Sequence, residues 1–134
     1  MITEAQGLPL VVWTTPANVH DSQPALDMLD AIPPIQGPRG RPRQHPEILQ
    51  GDAAYGSAAN VCGVRARGIQ PLLSKPRLKH GSGLGQYRYV VERTLAWFGN
   101  FRRLKFCYER DVEHFHAFHD LAAALICARR LCPT

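Results

Sequence analysis

The chain has 134 residues, of which 45% are hydrophobic and 20% are charged, so it is long enough for one folded domain and is not disordered throughout. Its longest apolar run, residues 121–128, is far shorter than the ~20 residues that cross a bilayer. The formal net charge of +5 indicates a polyanionic partner, and nucleic acid is the leading candidate. The first residues lack the basic start and apolar core of a signal peptide, so we expect a bacterial, cytoplasmic protein.

The first half of the chain alternates strand and helix signals. Residues 8–15 are rich in β-branched and aromatic side chains and predict a strand, whereas 23–32 have apolar residues at helical spacing after Ser22, the predicted N-cap. Five prolines and three arginines in 33–46 predict an exposed loop. The next predicted elements are a short strand at 47–52, a helix at 57–67 closed by Gly68, and a strand at 69–74.

The second half predicts two helices. Residues 75–85 are basic and glycine-rich, which is typical of a linker. A helix is expected from Gln86 to about Asn100, and a C-terminal helix over about 114–131. Their predicted apolar stripes comprise Tyr87, Val90, Val91, Thr94, Leu95, Phe98 and Phe101 in the first helix, and Phe115, Phe118, Leu121, Ala122, Leu125 and Ile126 in the second. Alternating strands and helices predict an α/β fold in which helices cover a sheet.

Two carboxylates are candidate metal ligands. Asp52 ends a predicted strand, and Gly51 beside it allows backbone and substrate to approach closely. Glu92 lies at the margin of an apolar stripe on a basic helix. Hard oxygen ligands from separate elements are what Mg²⁺ requires in a phosphoryl-transfer site. Each acid also has an ordinary explanation, because a strand-ending Asp is often a cap or turn former and Glu92 can pair with Arg88 on the helix surface.

The C-terminal part of the chain is rich in histidine and cysteine, the residue types that most often bind zinc. His114, His116 and His119, together with Cys127 and Cys132, fit no familiar zinc-ligand spacing. A helix start and a buried thiol explain these residues better. The four cysteines form no CxxC pair, so we expect reduced thiols.

An ordered set of motifs runs through almost the whole chain. The motifs are Gly7-Leu-Pro-Leu10, Ala17-Asn-Val-His-Asp-Ser22, Gly51-Asp-Ala-Ala-Tyr55, Arg67-Gly-Ile69, His80-Gly-Ser-Gly-Leu-Gly85, Tyr89-Val-Val-Glu-Arg-Thr-Leu-Ala-Trp97, Phe101-Arg-Arg-Leu104, Tyr108-Glu-Arg110 and Arg129-Arg-Leu131. Together they resemble the C-terminal part of an IS5-type insertion-sequence transposase, within the IS4/IS5 group that has a DDE catalytic domain.

The resemblance implies an RNase H-like domain, with a mixed sheet flanked by helices. In this family three acids bind two Mg²⁺ or Mn²⁺ ions and catalyse DNA strand cleavage and joining. Asp52 matches the second acid and Glu92 the third, which makes both of them catalytic and metal-binding residues. The first acid of the family lies on a first strand upstream of the hairpin that leads into Gly7, and neither Glu4 nor Asp21 matches it. Residues 1–134 are therefore expected to be a partial catalytic domain that lacks the first strand and is inactive, or nearly so, alone.

The expected partners are transposon-end and target DNA, an upstream portion of the transposase or a second copy, and no membrane. Two alternatives remain open. The chain is one half of a split-frame transposase, or it is a non-catalytic DNA-binding fragment. The residues expected to contact DNA are Arg88, Arg93, Arg102, Arg103, Lys79 and His80.

Overall fold

The computed structural model describes residues 1–73 and 85–132, so the linker predicted at 75–85 lies outside the described residues except for Gly85. The α/β class is confirmed. The chain forms two compact units, one from Met1–Thr14 and Gln86–Thr134 and the other from Thr15–Gly85. In chain order the elements are β1 Ile2–Thr3, β2 Pro9–Val11, α1 Ala25–Asp30, β3 Ile48–Gly51, a 3₁₀ turn Ala53–Tyr55, α2 Ala58–Ala66, β4 Gln70–Leu73, α3 Gly85–Phe98, α4 Arg102–Lys105 and α5 Val112–Leu131.

The first unit begins with a short antiparallel hairpin. β1 pairs with β2 so that Ile2 lies opposite Val11, and the paired stretch is shorter than the strand predicted at 8–15. The turn is closed by the Glu4 N–H, which donates to the Leu8 carbonyl at 2.9 Å, and by the Gly7 N–H, which donates to the Glu4 carbonyl at 3.0 Å. The Glu4 carboxylate accepts the Leu8 N–H at 2.9 Å, so this acid is part of the turn.

Helix α3 is fastened to the hairpin turn by two consecutive side chains. Thr94 is fully buried, and its hydroxyl lies 2.6 Å from the Gly7 carbonyl oxygen and 3.0 Å from that of Val90. Arg93 donates from Nη2 to the Gln6 carbonyl at 2.5 Å. Gly7 has φ +95°, and a Cβ there would lie 2.8 Å from the Thr94 hydroxyl oxygen, so glycine is required by both the conformation and the contact.

The core of the first unit brings β2, α3 and α5 together. Its buried members come from the end of β2, the end of α3 and the second half of α5, and partly buried side chains surround them. The buried residues are Val12, Phe98, Ala122 and Ile126, and the partly buried ones include Met1, Trp97, Phe101, Leu104 and Ala123.

The predicted apolar stripes of α3 and α5 are each wrong in part, because some of their residues are exposed and not buried. Val91 and Leu95 of α3 are 37% and 54% exposed, and Leu121 and Leu125 of α5 are 56% and 40% exposed. The inward line of α3 instead passes through Thr94 and the buried Phe98, four residues apart. Tertiary contacts cover a narrower face than the apolar pattern predicts.

The C-terminal helix begins before the predicted residue 114. Asp111 is its N-cap, and the Asp111 carboxylate accepts the Glu113 N–H at 2.9 Å. Arg129 and Arg130 occupy its last turn, as predicted. Helix α4 was not predicted, because four residues are too few to show a helical period.

The second unit contains a parallel strand pair joined through a helix. Ile48 of β3 lies opposite Gln70 of β4, and α2 connects the two strands. Ser57 is the N-cap of α2 and accepts the Asn60 N–H at 3.2 Å, which confirms the predicted start of this helix. Helix α1 packs on α2, and the buried side chains are Met28, Leu29, Ile32, Val64 and Ile69.

The predicted N-cap of α1 is wrong. The helix begins at Ala25, with Pro24 at the cap position and no side-chain cap. The Ser22 hydroxyl instead lies 2.7 Å from His20 Nδ1, and the Ser22 carbonyl accepts the Asn60 side-chain amide at 3.3 Å. Ser22 therefore ties the preceding turn to α2.

The end of α1 is held to the end of α2 by an ion pair. Arg67 donates from Nε and Nη2 to the two carboxylate oxygens of Asp30, at 2.6 and 2.5 Å. This hydrogen bonding is the main cause that lowers the pKa of Asp30 from its ordinary value of 3.8, and the charges of Arg67 and His45 add to it.

In the part of the chain that the structure describes, no helix is long and apolar enough to cross a membrane.

Replacing Thr94 with Val should lower the free energy of unfolding by about 1–3 kcal/mol, because the Gly7 carbonyl loses its buried donor. The measurement is urea denaturation followed by tryptophan fluorescence. Thr94→Ser, which keeps the hydroxyl, should cost about 1 kcal/mol or less. Thr15→Val at an exposed site is the control, and a Thr94→Val protein as stable as that control would contradict the role of this contact.

The Asp30–Arg67 pair predicts a defined pH dependence of stability. Because the pKa of Asp30 is lowered in the folded chain, its stabilising contribution is complete above about pH 3.8 and is lost as pH falls through the folded pKa. The urea midpoint of Asp30→Asn should therefore lie below that of the wild type at neutral pH, and the difference should shrink below pH 3.8. Asp27→Asn, which removes an exposed carboxylate from the same helix, controls for the loss of one charge. A difference that does not change with pH would rule the pair out.

Candidate functional site

Asp52 lies directly after β3 and begins the 3₁₀ turn. Its carboxylate oxygen Oδ1 accepts the Ala54 N–H at 2.9 Å, so Asp52 is the cap that the sequence allowed as one alternative. The side chain is exposed, and no described residue forms a hydrogen bond or ion pair with Oδ2. Capping through one oxygen therefore leaves the other oxygen available to a ligand.

The strand pairing places Asp52 where α/β proteins commonly bind ligands. β3 and β4 run parallel, with Gly51 opposite Leu73 at their carboxyl ends, and Asp52 is the next residue after Gly51. Crevices outside the carboxyl ends of parallel strands are the usual binding sites of such sheets. The position of Asp52 is thus set by the ladder of backbone hydrogen bonds in β3.

Tyr55 covers the end of β3. A Cβ added at Gly51 would lie 2.9 Å from Leu73 Cδ2 and 3.5 Å from Tyr55 Cβ, so a side chain here would have to displace the end of the Leu73 side chain. Burial raises the pKa of the Tyr55 phenol, and the negative charges of Asp21 and Asp52 raise it further. The phenol therefore stays neutral over a wider pH range and lies within electrostatic range of both acids.

Glu92 is exposed on α3. Successive helix residues are rotated by about 100°, so Glu92 and Thr94 point to nearly opposite sides of the helix. Since Thr94 is buried against the hairpin turn, Glu92 is directed away from the core of its unit. The Arg88 side chain lies outside the described residues, so its surface pairing with Glu92 stays a prediction.

The two candidate acids are positioned by different contacts in different units. Asp52 belongs to Thr15–Gly85 and is held by the β3 ladder and its own cap. Glu92 belongs to the other unit and is held by the attachment of α3 to the hairpin. Each acid is thus fixed by its own set of neighbours.

The described basic residues differ in how they are engaged. Arg93 is half-buried, with its guanidinium 5.5 and 5.3 Å from the ring centroids of Tyr89 and Trp97. Arg103 pairs with Glu109, whereas Arg102 is exposed on α4. Arg93 therefore has a structural role besides any contact with DNA.

The predicted DNA contacts at Lys79 and His80 lie outside the described residues, as does the side chain of Arg88. The contacts proposed for these residues stay predictions.

The acids present fit a divalent metal by their chemistry. Both are carboxylates, and Asp52 offers an uncommitted oxygen of the kind that Mg²⁺ and Mn²⁺ bind. Among the described residues no three His, Cys, Asp or Glu side chains form a metal-binding cluster.

Sequence reasoning missed Tyr55 and Thr94. Tyr55 belongs to the Gly51–Tyr55 motif, and its spacing from Gly51 was the available signal. Thr94 was predicted to belong to an apolar stripe, although its hydroxyl forms the buried hydrogen bond to the Gly7 carbonyl. A polar residue within an otherwise apolar helix face was the signal for a buried hydrogen bond.

Known proteins resemble this chain over nearly its whole length. A family model described as a transposase DDE domain matches residues 1–127. Over 127 residues the chain is 47% identical to a Burkholderia cepacia protein whose name describes a transposase for insertion sequence element IS402. The match covers 95% of this chain and 60% of that protein, so the chain spans about three-fifths of the relative's length. No solved structure matches the chain.

Replacing Gly51 with Ala should destabilise the chain by about 1 kcal/mol, because the new methyl group would lie 2.9 Å from Leu73 Cδ2 and that side chain would have to shift. Thermal or urea denaturation measures the change. Gly37→Ala is the matched control, since a Cβ there would meet only one backbone oxygen at 3.9 Å. Equal stability of the two variants would show that the end of β3 is not tightly packed.

Proposed function

The chain belongs to the transposase DDE domain family, and from this membership we propose that it supplies Asp52 and Glu92 to a three-acid centre for metal-dependent DNA cleavage and strand transfer. The observation that carries the proposal is the family match over residues 1–127, together with an exposed Asp at the carboxyl end of a parallel strand. The resemblance to a DDE-type insertion-sequence transposase is confirmed. That the chain belongs to the IS5-type branch of these transposases is part of the proposal.

We place the domain in the RNase H-like class. The described strands form two separate two-stranded sheets, the antiparallel β1–β2 pair and the parallel β3–β4 pair, and helices pack on both. These are the two kinds of pairing that a mixed sheet contains. In this class the second acid ends a strand and the third lies on a helix. Asp52 and Glu92 occupy elements of those two kinds.

DDE transposases generally use divalent metal ions, and in this chain Asp52 and Glu92 would hold them. Bound Mg²⁺ or Mn²⁺ would stabilise the negative charge that develops on the phosphodiester oxygens. The role of the protein is then to hold the two carboxylates in place. For Asp52 that role falls to the cap with Ala54 and the packing of Tyr55 on Gly51. For Glu92 it falls to the contact between Thr94 and Gly7.

A third carboxylate is required, and we propose that a portion of the transposase outside these 134 residues carries it. The relative from Burkholderia cepacia is longer than the matched region, which leaves room for such a portion. Two ligands hold a two-metal site poorly, so the 134-residue polypeptide alone is expected to be inactive or nearly so. The missing ligand would come from an upstream portion of the transposase.

DNA is the proposed partner, both as transposon ends and as target. The net charge of +5 provides attraction to the phosphate backbone. Arg102 is exposed on α4, in the segment that follows the Glu92 helix. A location at the bacterial nucleoid belongs to the same proposal, because the substrate would be found there.

The test is Mg²⁺-dependent nicking of transposon-end DNA by this polypeptide, alone and co-expressed with the upstream portion of the transposase. The polypeptide alone should show no nicking, and the complex should be active. In the complex, Asp52→Asn and Glu92→Gln should each reduce nicking by about 100-fold or more. Asparagine at 52 can still accept the Ala54 N–H, so the loss would report the charge and not the fold.

Asp21→Asn is the matched control for Asp52→Asn, because both acids lie near Tyr55 and only Asp52 matches a catalytic position. The control should stay active. Robust nicking by the polypeptide alone would overturn the expected inactivity, and full activity of Asp52→Asn in the complex would overturn its catalytic role. A salt-dependent gel shift without cleavage in either preparation would favour a non-catalytic DNA-binding fragment.

A further inference from the structure

The Pro- and Arg-rich segment predicted as an exposed loop has a closed base and a charged tip. Ile35 and Arg43 form an antiparallel bridge with hydrogen bonds of 2.8 and 2.9 Å. Inside this closure the Gln36 side-chain amide donates to the carbonyls of Gly37 and Gly40, at 2.9 and 3.1 Å. The loop is therefore internally hydrogen-bonded, and its tip, defined here as residues 39–41, has the sequence Arg-Gly-Arg.

The two arginines of the tip are available to a ligand. Arg39 and Arg41 are exposed, and no described residue forms an ion pair with either of them. Arg43 differs, because its guanidinium is paired with Glu47 at 2.9 Å. The segment 31–46 contains no Asp or Glu, so the tip is positively charged without local compensation.

The tip is also narrow. Gly40 has φ +95° and a Cβ there would meet no atom within 4 Å, so the backbone between the two arginines is bare on that side. Pro38 and Pro42 flank the tip and carry no N–H group that would have to be desolvated. A slim backbone with a cation on each side suits a groove about 6 Å wide, which is the width of the DNA minor groove.

We propose that the Arg-Gly-Arg tip binds the minor groove of A·T-rich DNA. The minor groove of A-tracts is narrow and its negative potential attracts arginine. Its floor presents only hydrogen-bond acceptors, which match the donor-only guanidinium groups of Arg39 and Arg41. A G·C pair adds the guanine 2-amino donor, which opposes such a contact. The inference rests on the proposed function in that DNA is the ligand, and it adds a sequence preference to a chain whose charge alone predicts none.

Binding of the full chain to three duplexes of equal length, measured without metal by fluorescence anisotropy, tests the groove. One duplex carries a central A·T tract, one a G·C tract, and one an inosine·cytosine tract, which has the major-groove groups of G·C but lacks the guanine 2-amino group. The A·T and inosine·cytosine duplexes should bind about tenfold more tightly than the G·C duplex. Equal binding of all three, or inosine·cytosine binding as weakly as G·C, would overturn the inference.

Single substitutions test the tip. Arg39→Ala and Arg41→Ala should each remove most of the A·T preference. Arg43→Ala, which removes the same charge from the same loop but from a side chain paired with Glu47, should keep the preference. Gly40→Ala retains every charge and should still weaken A·T binding, because an alanine is strained at φ +95°. A preference retained in both Arg39→Ala and Arg41→Ala would exclude the tip as its source.

The result is separable from the catalytic proposal. A wild-type chain that shows no A·T preference, while Mg²⁺-dependent nicking by the co-expressed complex is intact, would overturn the inference and leave the proposed function standing. A·T preference of the chain together with a co-expressed complex that does not nick DNA would contradict the catalytic proposal and leave the inference about the tip standing.

Discussion

The first unit depends on the contact between a buried threonine hydroxyl and a glycine carbonyl. Thr94 and Gly7 are 87 residues apart in the chain, and they meet at 2.6 Å where α3 crosses the hairpin turn. A larger residue at 7 would collide with the hydroxyl, and a residue without a donor at 94 would leave the carbonyl unsatisfied. With Thr94 fixed inward, helical geometry directs Glu92 outward. A structural hydrogen bond thus determines where the candidate third acid lies.

Local signals were sufficient to predict several elements. The helix predicted to start at Ser57 and the strand that leads into Asp52 both depend on residues a few positions apart, and the structure confirms them. The exposed positions of Leu95 and Leu121 were not predictable in this way, because burial depends on which neighbours reach the helix. The partner of Thr94 was equally hidden, since a pairing across 87 residues leaves no periodic trace.

The candidate site was predictable only in part, because local signals do not show which neighbours contact a side chain. Asp52 and Glu92 follow from motif and resemblance, but the residues that hold them do not. Tyr55 supports Asp52 by packing on Gly51, and Asp52 itself has two tasks, as the cap of a turn and as a proposed ligand. Asp52 can cap the turn and also bind a metal, because a carboxylate has two oxygens and the cap uses only one of them.

The long separation between Gly7 and Thr94 also affects the order in which the chain acquires structure. In the second unit, contacts such as Asp30 with Arg67 join residues only 37 positions apart, so its formation needs a modest loop closure. In the first unit, the hairpin is synthesised well before its partner helix. During synthesis the apolar side chains of Ile2–Val11 therefore remain without the rest of their core until α3 and α5 have been made, and apolar surface left exposed in this way favours aggregation.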